Sequence, residues 1–238
     1  MKKIVVIPTY NERENIARLI DEINKLNIRD LGIIVVDDNS PDGTADIVKM
    51  LAKKEKNIHL IVRNSDRGRG RAGIAGFKEA LRIGADAVCE MDADFSHDPK
   101  HLPALIESLK NCDVVIGSRF ASGGSDADRP FFRRIITLLA NLYIRILLGL
   151  NVKDCNSGYR CFKRGVLEKI NLDNTISKGP SVVQEILYKA HLAGFNIKEV
   201  PIKFIERREG KSKLGLKHLY KGYTMVLKLK FLRLIGKI

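Results

Sequence analysis

Short apolar runs alternate with segments of helical periodicity along the first half of the chain. The apolar runs occupy residues 3–7, 32–36, 58–62, 87–91 and 113–116. Between them, apolar positions recur at helical spacing over 14–26, 44–54, 73–83 and 101–109. This alternation is typical of a parallel sheet, and unbroken apolar runs are typical of strands that are covered on both faces. We therefore predict an α/β fold with a mainly parallel sheet flanked by helices.

The pattern changes in the second half of the chain. A loop rich in Gly, Ser and Asp at 121–128 precedes a long apolar helix that we expect over 131–148. We expect another helix over 181–192 and a strand over 197–205, which leads into a basic tail. The sequence has no linker long enough to separate two globular domains. We therefore expect one α/β domain at 1–212 and a basic amphipathic helix at 213–238.

Polar residues gather directly after the predicted strands, at 8–12, 37–43, 92–97 and 117–119. In an open parallel sheet, ligands bind outside the carboxyl ends of the strands. The sequence therefore predicts a binding site at that edge of the sheet. The first of these turns has no glycine between Pro8 and Ile16, which argues against a dinucleotide-dependent dehydrogenase.

Acidic residues in two of these turns are candidates for substrate and metal binding. Asp92 and Asp94 suit a Mg²⁺ or Mn²⁺ ion that is held jointly by carboxylates and substrate phosphates. The alternative is that they cap the next helix, which is expected to begin near 98. Asp37 and Asp38 suit the hydroxyls of a nucleoside, or serve only the turn that follows them.

Arginines are the other candidates for phosphate binding. The segment at 67–71, RGRGR, is similar to a nucleic-acid-binding tract, but it is short and has no interleaved aromatic residues. A loop that leads into a helix at 73 and lines a phosphate site is the favoured interpretation. Guanidinium forks suit phosphate oxygens, and further arginines in or beside predicted loops are Arg119, Arg133, Arg134 and Arg160.

The net charge of the chain indicates that its binding partner is anionic. Its 238 residues include 42 Lys and Arg against 28 Asp and Glu, which gives a formal charge of +14. Such a charge indicates nucleic acid, a membrane surface or a phosphorylated substrate as the partner. Residues 203–238 hold eleven basic and two acidic residues, so most of the excess is C-terminal.

The basic tail is a candidate for membrane binding. Apolar residues recur at helical spacing over 214–235, and a basic amphipathic helix can lie in an anionic membrane interface. The alternatives are a helix docked on the protein's own core and a helix that binds a membrane-protein partner. The longest apolar stretch, 135–150, is shorter than the roughly 20 residues that a membrane span needs. Because no signal peptide is evident, we expect a cytoplasmic protein attached peripherally to the cytoplasmic face of the membrane.

The four cysteines carry little functional signal. Cys89, Cys112, Cys155 and Cys161 lack the spacing of known zinc motifs. We expect all four to be reduced.

Seven segments together resemble the dolichyl-phosphate mannose synthase group of inverting glycosyltransferases, which have the GT-A fold. In the first half they are PTYNEREN (8–15), VVDDNSPDGT (35–44), MDADFSHDP (91–99) and IGSRF (116–120). In the second half they are DCNSGYRCFKRGVLEKI (154–170), SKG (177–179) and EVPIKFIERREGKSKL (199–214). Arg67 and Arg69 depart from the pattern, because similar proteins usually have leucines there, and the resemblance gives them no role.

The resemblance implies a role for each matching residue. Pro8, Tyr10, Glu12, Val36 and Asp38 would hold the nucleoside of a sugar nucleotide. Asp92, Ala93 and Asp94 would hold its ribose, diphosphate and metal, with Asp94 and Ser96 as metal ligands. Arg119, Arg207 and Lys213 would hold the diphosphate, whereas Arg133, Ser157 and Arg160 would bind the acceptor lipid phosphate. Asp94, Arg119 and Arg133 are the expected catalytic residues.

The function implied by the resemblance is transfer of mannose from GDP-mannose to dolichyl or another polyprenyl phosphate, with inversion. The nearest alternative is a synthase that uses UDP-glucose or another sugar nucleotide. An alternative of a different class is a basic nucleic-acid-binding protein. The acids at the strand ends argue against it, because they would repel a nucleic-acid backbone, so we expect no nucleic-acid partner.

Overall fold

The computed structural model describes residues 1–205 and 216–238, with side chains in the second range from residue 222. Its strands are β1 (Lys3–Thr9), β2 (Leu31–Asp37), β3 (Ile58–Val62), β4 (Ala87–Glu90), β5 (Val114–Ser118), β6 (Arg160–Lys163) and β7 (Ile197–Pro201). Its α-helices are α1 (Arg13–Lys25), α2 (Thr44–Lys54), α3 (Arg69–Arg82), α4 (Leu102–Ser108), α5 (Phe131–Leu148), α6 (Arg164–Lys169), α7 (Val182–Leu192) and α8 (Leu216–Leu234). The predicted domain boundary between 212 and 213 lies outside the described residues.

The strands form one seven-stranded sheet in the order β3-β2-β1-β4-β6-β5-β7. The pairs β1/β2, β1/β4, β2/β3 and β5/β7 are parallel, and β6 runs antiparallel to both β4 and β5. The predicted α/β fold with a mainly parallel sheet and flanking helices is confirmed. The sequence reasoning missed β6 because its residues, RCFK, mix charge with apolar character and lack the unbroken apolar run of the other strands.

Two apolar layers cover the two faces of the sheet. Successive strand residues point to opposite faces, so Ile4 and Val6 of β1 join one layer whereas Val5 and Ile7 join the other. The first layer contains residues of α3, α5, α6, α7 and α8, and the second contains residues of α1, α2 and α4. This double coverage explains the unbroken apolar runs 4–7 of β1 and 33–36 of β2, in which residues that point to either face are buried.

Val36 takes part in this packing and does not face a ligand cavity. Its side chain is fully buried in the layer beneath α3. A Cβ at Gly76 would lie 2.2 Å from a methyl carbon of Val6 and 3.1 Å from one of Val36, so α3 approaches the sheet closely only because residue 76 is glycine. The Val36 side chain therefore belongs to the core, and the nucleoside contact expected of residue 36 stays a prediction.

The expectation that all four cysteines are reduced is wrong for two of them. Cys89 of β4 and Cys161 of β6 are paired directly across the antiparallel strands and form a disulfide. Cys112 and Cys155 are free and buried. Spacing rules did not reveal the pair because the two cysteines are 72 residues apart and meet only through the missed strand.

The C-terminal helix packs against the domain along one face. Val226 and Leu229 of α8 are buried in the core, and the ring of Tyr223 lies 4.9 Å from the ring of Tyr143 on α5. Docking on the protein's own core, one of the alternatives for this helix, is thus present on one side of it. Among the described residues, no helix is both long and apolar enough to cross a membrane.

Candidate active site

A cavity of about 570 Å³ opens at the carboxyl ends of β1, β2 and β4. It is lined by Pro8, Thr9, Tyr10, Glu12, Asp38, Arg67, Gly68, Arg69, Ala72, Asp92, Ala93, Asp94, Asn156, Gly158, Gly179, Pro180 and Val183. The structure therefore brings seven of the expected donor-binding residues into one cavity, at the predicted edge of the sheet. They are Pro8, Tyr10, Glu12, Asp38, Asp92, Ala93 and Asp94.

The neighbouring acids Asp37 and Asp38 have separate roles. Asp37 is buried and accepts hydrogen bonds from the Ser40 backbone N–H (2.7 Å), the Ser40 hydroxyl (2.6 Å) and the Thr9 hydroxyl (2.8 Å). Asp38 lines the cavity, and its two oxygens accept from Arg63 (2.7 Å) and from the Gly68 backbone N–H (2.6 Å). Asp37 therefore serves the turn, whereas Asp38 lines the cavity and its nucleoside contact stays a prediction.

Asp92 and Asp94 lie at the cavity wall on the loop after β4. One Asp92 oxygen accepts from Arg69 Nη2 at 2.9 Å, and one Asp94 oxygen accepts from the Ser96 backbone N–H at 3.1 Å. The alternative capping role belongs to another residue, because Asp98 caps the following helical turn by accepting from the backbone N–H of Lys100. Asp92 and Asp94 are thus placed for a ligand in the cavity.

His97 is buried beside these carboxylates and is neutral. The Asp92 backbone N–H donates to its Nδ1 at 3.0 Å, so the ring proton resides on Nε2. Burial lowers the pKa of His97, although the nearby acids oppose that shift. The ring stacks on Tyr159, with centroids 5.0 Å apart. His97 therefore shapes the loop without adding a positive charge to the cavity.

The residues at this wall fit a Mg²⁺ or Mn²⁺ ion of the kind that shares its coordination with a diphosphate. Within the described parts of the chain, no group of three or more His, Cys, Asp or Glu side chains could enclose a metal. Asp92 and Asp94 supply hard carboxylate oxygens directly at the cavity. Mg²⁺ is commonly held by one or two carboxylates together with substrate phosphates and water. Ser96 is buried and is not among the described residues that line the cavity.

The sequence analysis included Arg69 only as part of the RGRGR segment and did not identify Glu90. Arg69 Nη1 donates to the buried carboxylate of Glu90 at 3.0 Å, while Nη2 donates to Asp92. Burial alone would lower the pKa of Arg69, but the Glu90 and Asp92 carboxylates outweigh it and raise the pKa. Burial raises the pKa of Glu90, and Arg69 opposes that shift. The feature of the sequence that could have pointed to Arg69 is that similar proteins usually have leucine at this position.

The glycines of the RGRGR segment allow α3 to contact the loop at 177–180. A Cβ at Gly68 would lie 2.7 Å from the carbonyl oxygen of Lys178, and one at Gly70 would lie 2.6 Å from that of Gly179. The Gly70 N–H donates to the Lys178 carbonyl at 3.1 Å. Buried Glu185 fixes the same loop by accepting from the backbone N–H of residues 176 and 177. The segment therefore contributes Arg67, Gly68 and Arg69 to the cavity wall. The loop interpretation is wrong for residues 69–71, because α3 begins at Arg69 rather than at 73. The phosphate-binding role of the segment stays a prediction.

Arg119 is held away from the cavity by a buried ion pair. Its Nε and Nη2 donate to the two oxygens of Asp154 at 2.8 and 2.7 Å, and its backbone N–H donates to the same carboxylate. Burial alone would raise the pKa of Asp154, but Arg119 holds it below its ordinary value. Arg119 is not among the described residues that line the cavity. The diphosphate contact expected of Arg119 stays a prediction, and the structure pairs this arginine with Asp154 instead of placing it at the cavity.

Arg160 and Ser157 lie behind the cavity rather than in it. The Arg160 side chain is buried and donates to the backbone carbonyls of Ser157, Val183 and Cys155. Burial lowers its pKa to about 10, so the guanidinium remains charged at neutral pH. The Ser157 hydroxyl accepts from the Tyr159 backbone N–H at 3.3 Å. Arg160 thus ties the segments at 155–157 and 183 together beside the cavity, and its expected contact with an acceptor phosphate stays a prediction.

The remaining predicted basic residues have different placements. Arg133 is exposed in the first turn of α5 and is not among the described residues that line the cavity. Arg207 and Lys213 lie outside the described residues.

The chain matches the model of glycosyl transferase family 2 over residues 4–171. It is 40% identical over 215 residues to an undecaprenyl-phosphate mannosyltransferase of Micrococcus luteus, covering 90% of this chain and 88% of the relative. It is 40% identical to a polyprenol monophosphomannose synthase of Mycolicibacterium smegmatis, covering 90% of this chain and 81% of the relative. A glucosyl-3-phosphoglycerate synthase from Mycobacterium tuberculosis, solved with Mn²⁺ and UDP, superposes with a TM-score of 0.67 at 20% identity. That superposition covers 98% of this chain and 79% of the other and shows a shared GT-A fold.

Proposed function

Since the chain belongs to glycosyltransferase family 2, we propose that it transfers mannose from GDP-mannose to a polyprenyl or dolichyl phosphate, with inversion. The observation that carries the proposal is the cavity in which Pro8, Tyr10, Glu12 and Asp38 face the loop of Asp92 and Asp94. The names of the 40% identical relatives support mannose as the sugar and a polyprenyl phosphate as the acceptor.

The donor end of the cavity suits a nucleoside diphosphate. Tyr10 is 42% exposed and offers a ring face to a base, while Asp38 is placed to accept from ribose or base donors. Asp92 and Asp94 would hold a divalent ion, which would neutralise the diphosphate and stabilise it as a leaving group. Arg67 adds a positive charge at the same wall. Arg207 and Lys213 are proposed as further diphosphate contacts from the resemblance alone.

The acceptor needs orientation more than activation. A lipid phosphomonoester has a second pKa near 6, so it is already an anionic nucleophile at neutral pH and needs no strong base. Asn156, Gly158, Gly179 and Pro180 line the end of the cavity contributed by the second half of the chain. Attack on the anomeric carbon from the side opposite the departing diphosphate inverts that carbon. Arg133, at the start of α5, is proposed to attract the acceptor phosphate as it approaches.

Thermal-shift measurements with a panel of sugar nucleotides test the donor assignment. We expect GDP-mannose with Mn²⁺ to stabilise the protein more than UDP-glucose with Mn²⁺. We also expect Asp94→Asn to keep the fold and abolish transfer, whereas the exposed control Asp173→Asn remains active. Preference for UDP-glucose would reassign the donor, and full activity of Asp94→Asn would contradict the proposed site.

A membrane surface is the proposed location of the acceptor reaction. Two helices in contact, α5 and α8, expose large apolar side chains at helical spacing. These side chains are 49–74% exposed and comprise Phe131, Phe132, Leu138, Leu139, Leu142, Ile146, Leu227, Phe231 and Leu234. We call this set the α5–α8 apolar face. Single exposed apolar residues are common, but a set of nine on two helices in contact is typical of a protein or membrane contact.

Charge favours an anionic bilayer as the occupant of the α5–α8 apolar face. Arg134 follows Phe131 and Phe132 at the start of α5, and Lys228, Lys230 and Arg233 alternate with the apolar residues of α8. Basic residues beside an apolar helix face are attracted to acidic lipid headgroups while the apolar side chains enter the interface. Peripheral binding of this kind would bring the cavity to a lipid-borne phosphate.

Vesicle co-sedimentation tests this membrane contact. We expect binding to phosphatidylcholine vesicles that contain phosphatidylglycerol, weaker binding to phosphatidylcholine alone, and loss of binding in Phe231→Ser/Leu234→Ser. Met50→Ser, which removes an exposed apolar side chain from α2, serves as the matched control and should bind normally. Equal binding of the double variant and the wild type would overturn the proposed contact.

A further inference from the structure

Arg69 connects a buried acid to one of the two acids proposed to hold the metal and diphosphate. Its Nη1 donates to Glu90 at 3.0 Å and its Nη2 donates to Asp92 at 2.9 Å. Building on the proposed function, we propose that Arg69 is a positioning residue that fixes the Asp92 carboxylate for the divalent ion and the donor diphosphate. The resemblance to known transferases assigns this residue no role.

Glu90 is the fixed end of this chain of ion pairs. Its side chain is 2% exposed, and a buried carboxylate is costly unless a charged or hydrogen-bonding partner satisfies it. The planar guanidinium presents Nη1 and Nη2 in a rigid fork, so pairing with Glu90 also determines where Nη2 points. Asp92 is more exposed than Glu90, at 34%, and is the end that meets the cavity. The chain of ion pairs therefore leads from Glu90 in the core, through Arg69, to Asp92 at the cavity.

Two glycines provide the space that the ion pairs occupy. A Cβ at Gly73, one turn after Arg69, would lie 2.5 Å from a Glu90 carboxylate oxygen. A Cβ at Gly158 would lie 2.7 Å from Arg69 Nη2. Any larger residue at either position would displace the charged groups. Gly73 therefore leaves room for the Glu90 carboxylate, and Gly158 leaves room for the Arg69 guanidinium that pairs with it.

Two other roles for Arg69 predict different behaviour. If Arg69 only neutralises Glu90 for stability, its replacement will change unfolding but not ligand affinity once the protein is folded. If Arg69 contacts the donor itself, its contribution to affinity will persist when the Asp92 carboxylate is absent. A residue that acts through Asp92 contributes to affinity only while that carboxylate is present, so a double-mutant cycle separates the three cases.

The cycle uses calorimetric titration of GDP and of UDP, each with Mn²⁺, into the full chain. Because Arg69→Met alone would leave Glu90 charged, buried and unpaired, the perturbation is Arg69→Met/Glu90→Gln. Loss of a group that orients a metal ligand usually weakens binding about 10–100-fold, and we expect that loss in the presence of Asp92. In the Asp92→Asn background we expect no further loss. The control Arg67→Met removes another cavity arginine and should have the same effect in both backgrounds.

Three results would overturn the inference. An equal loss with Asp92 and with Asp92→Asn would assign Arg69 to direct donor contact. Unchanged affinity in both backgrounds, together with a lower melting temperature, would assign it to stability alone. Failure of the wild-type protein to bind either nucleotide would remove the proposed function and this inference with it, whereas the first two results leave the proposed function intact.

Discussion

The buried ion pair of Arg119 and Asp154 allows a test of whether Arg119 stabilises the fold or binds the donor diphosphate. Sequence reasoning placed Arg119 at the donor diphosphate, whereas the structure engages it with a carboxylate that is 0% exposed. Replacing Arg119 by Met removes two charge-assisted hydrogen bonds of 2.7 and 2.8 Å. Asp154 then keeps the backbone N–H of residue 119 as a donor but loses its counter-charge. The structure therefore predicts that Arg119→Met acts mainly on stability.

The size of the effect follows from the cost of an unpaired buried charge. Breaking a buried ion pair from one side typically lowers the free energy of unfolding by ~3–5 kcal/mol. For a chain of this size each kcal/mol corresponds to about 2–4 °C in melting temperature, so a decrease of about 10 °C is expected. Removing the charge of the partner should restore part of the loss, so Arg119→Met/Asp154→Asn should be more stable than Arg119→Met.

Urea unfolding followed by circular dichroism measures these differences, and nucleotide titration is the parallel readout. We expect the folded Arg119→Met protein to bind GDP with Mn²⁺ with an affinity close to that of the wild type. A loss of unfolding free energy below ~1 kcal/mol, the range of an exposed ion pair, would refute the reasoning. A large loss of nucleotide affinity in Arg119→Met with normal stability would indicate that Arg119 binds the donor.

Three further predictions concern stability and the cavity wall. The pKa of Asp154 is lower in the folded state than its ordinary 3.8. The ionised carboxylate therefore stabilises the fold fully above pH 3.8, and this stabilisation is lost as the pH falls through the pKa of the folded state. The free energy of unfolding should consequently fall more steeply with acid for the wild type than for Asp154→Asn. Gly70→Ala places a Cβ 2.6 Å from a backbone carbonyl and should weaken nucleotide binding in titration, whereas Gly165→Ala, with nothing within 4 Å, should not. Leu229→Ala should lower the free energy of unfolding, measured by urea titration, by ~2–5 kcal/mol because the Leu229 side chain is fully buried. The control Phe231→Ala, at an exposed position, should change that free energy by under ~0.5 kcal/mol.

Local patterns predicted most of the fold. Apolar runs and helical periodicity located β3, α2 and α5 with the bounds that the structure has, because each element buries a face that its own residues specify. The pattern did not reveal β6, whose position between β4 and β5 depends on pairing with strands far away in sequence. The Cys89–Cys161 disulfide was missed for the same reason.

The sequence likewise predicted some residues of the candidate site and missed others. The strand-end rule placed Asp38, Asp92 and Asp94 at one cavity because topology alone brings the ends of neighbouring parallel strands together. Residue type was a poor guide for arginines, since a guanidinium fits a phosphate and a buried carboxylate equally well. Arg119 and Arg69 pair with acids 35 and 21 residues away, and only the folded chain shows those partners. Long-range partners therefore decide which arginines remain available to a ligand.

Sugar transfer to a lipid phosphate is the central activity proposed for this protein, and mass spectrometry of the reaction products measures it directly. Purified protein is incubated with GDP-mannose, Mn²⁺ and a polyprenyl phosphate in phosphatidylglycerol-containing vesicles. We predict a polyprenyl-phosphate hexose together with released GDP, and no product from Asp94→Asn. Failure of the wild-type protein to form any glycosylated lipid phosphate, with GDP-mannose or UDP-glucose as donor, would contradict it.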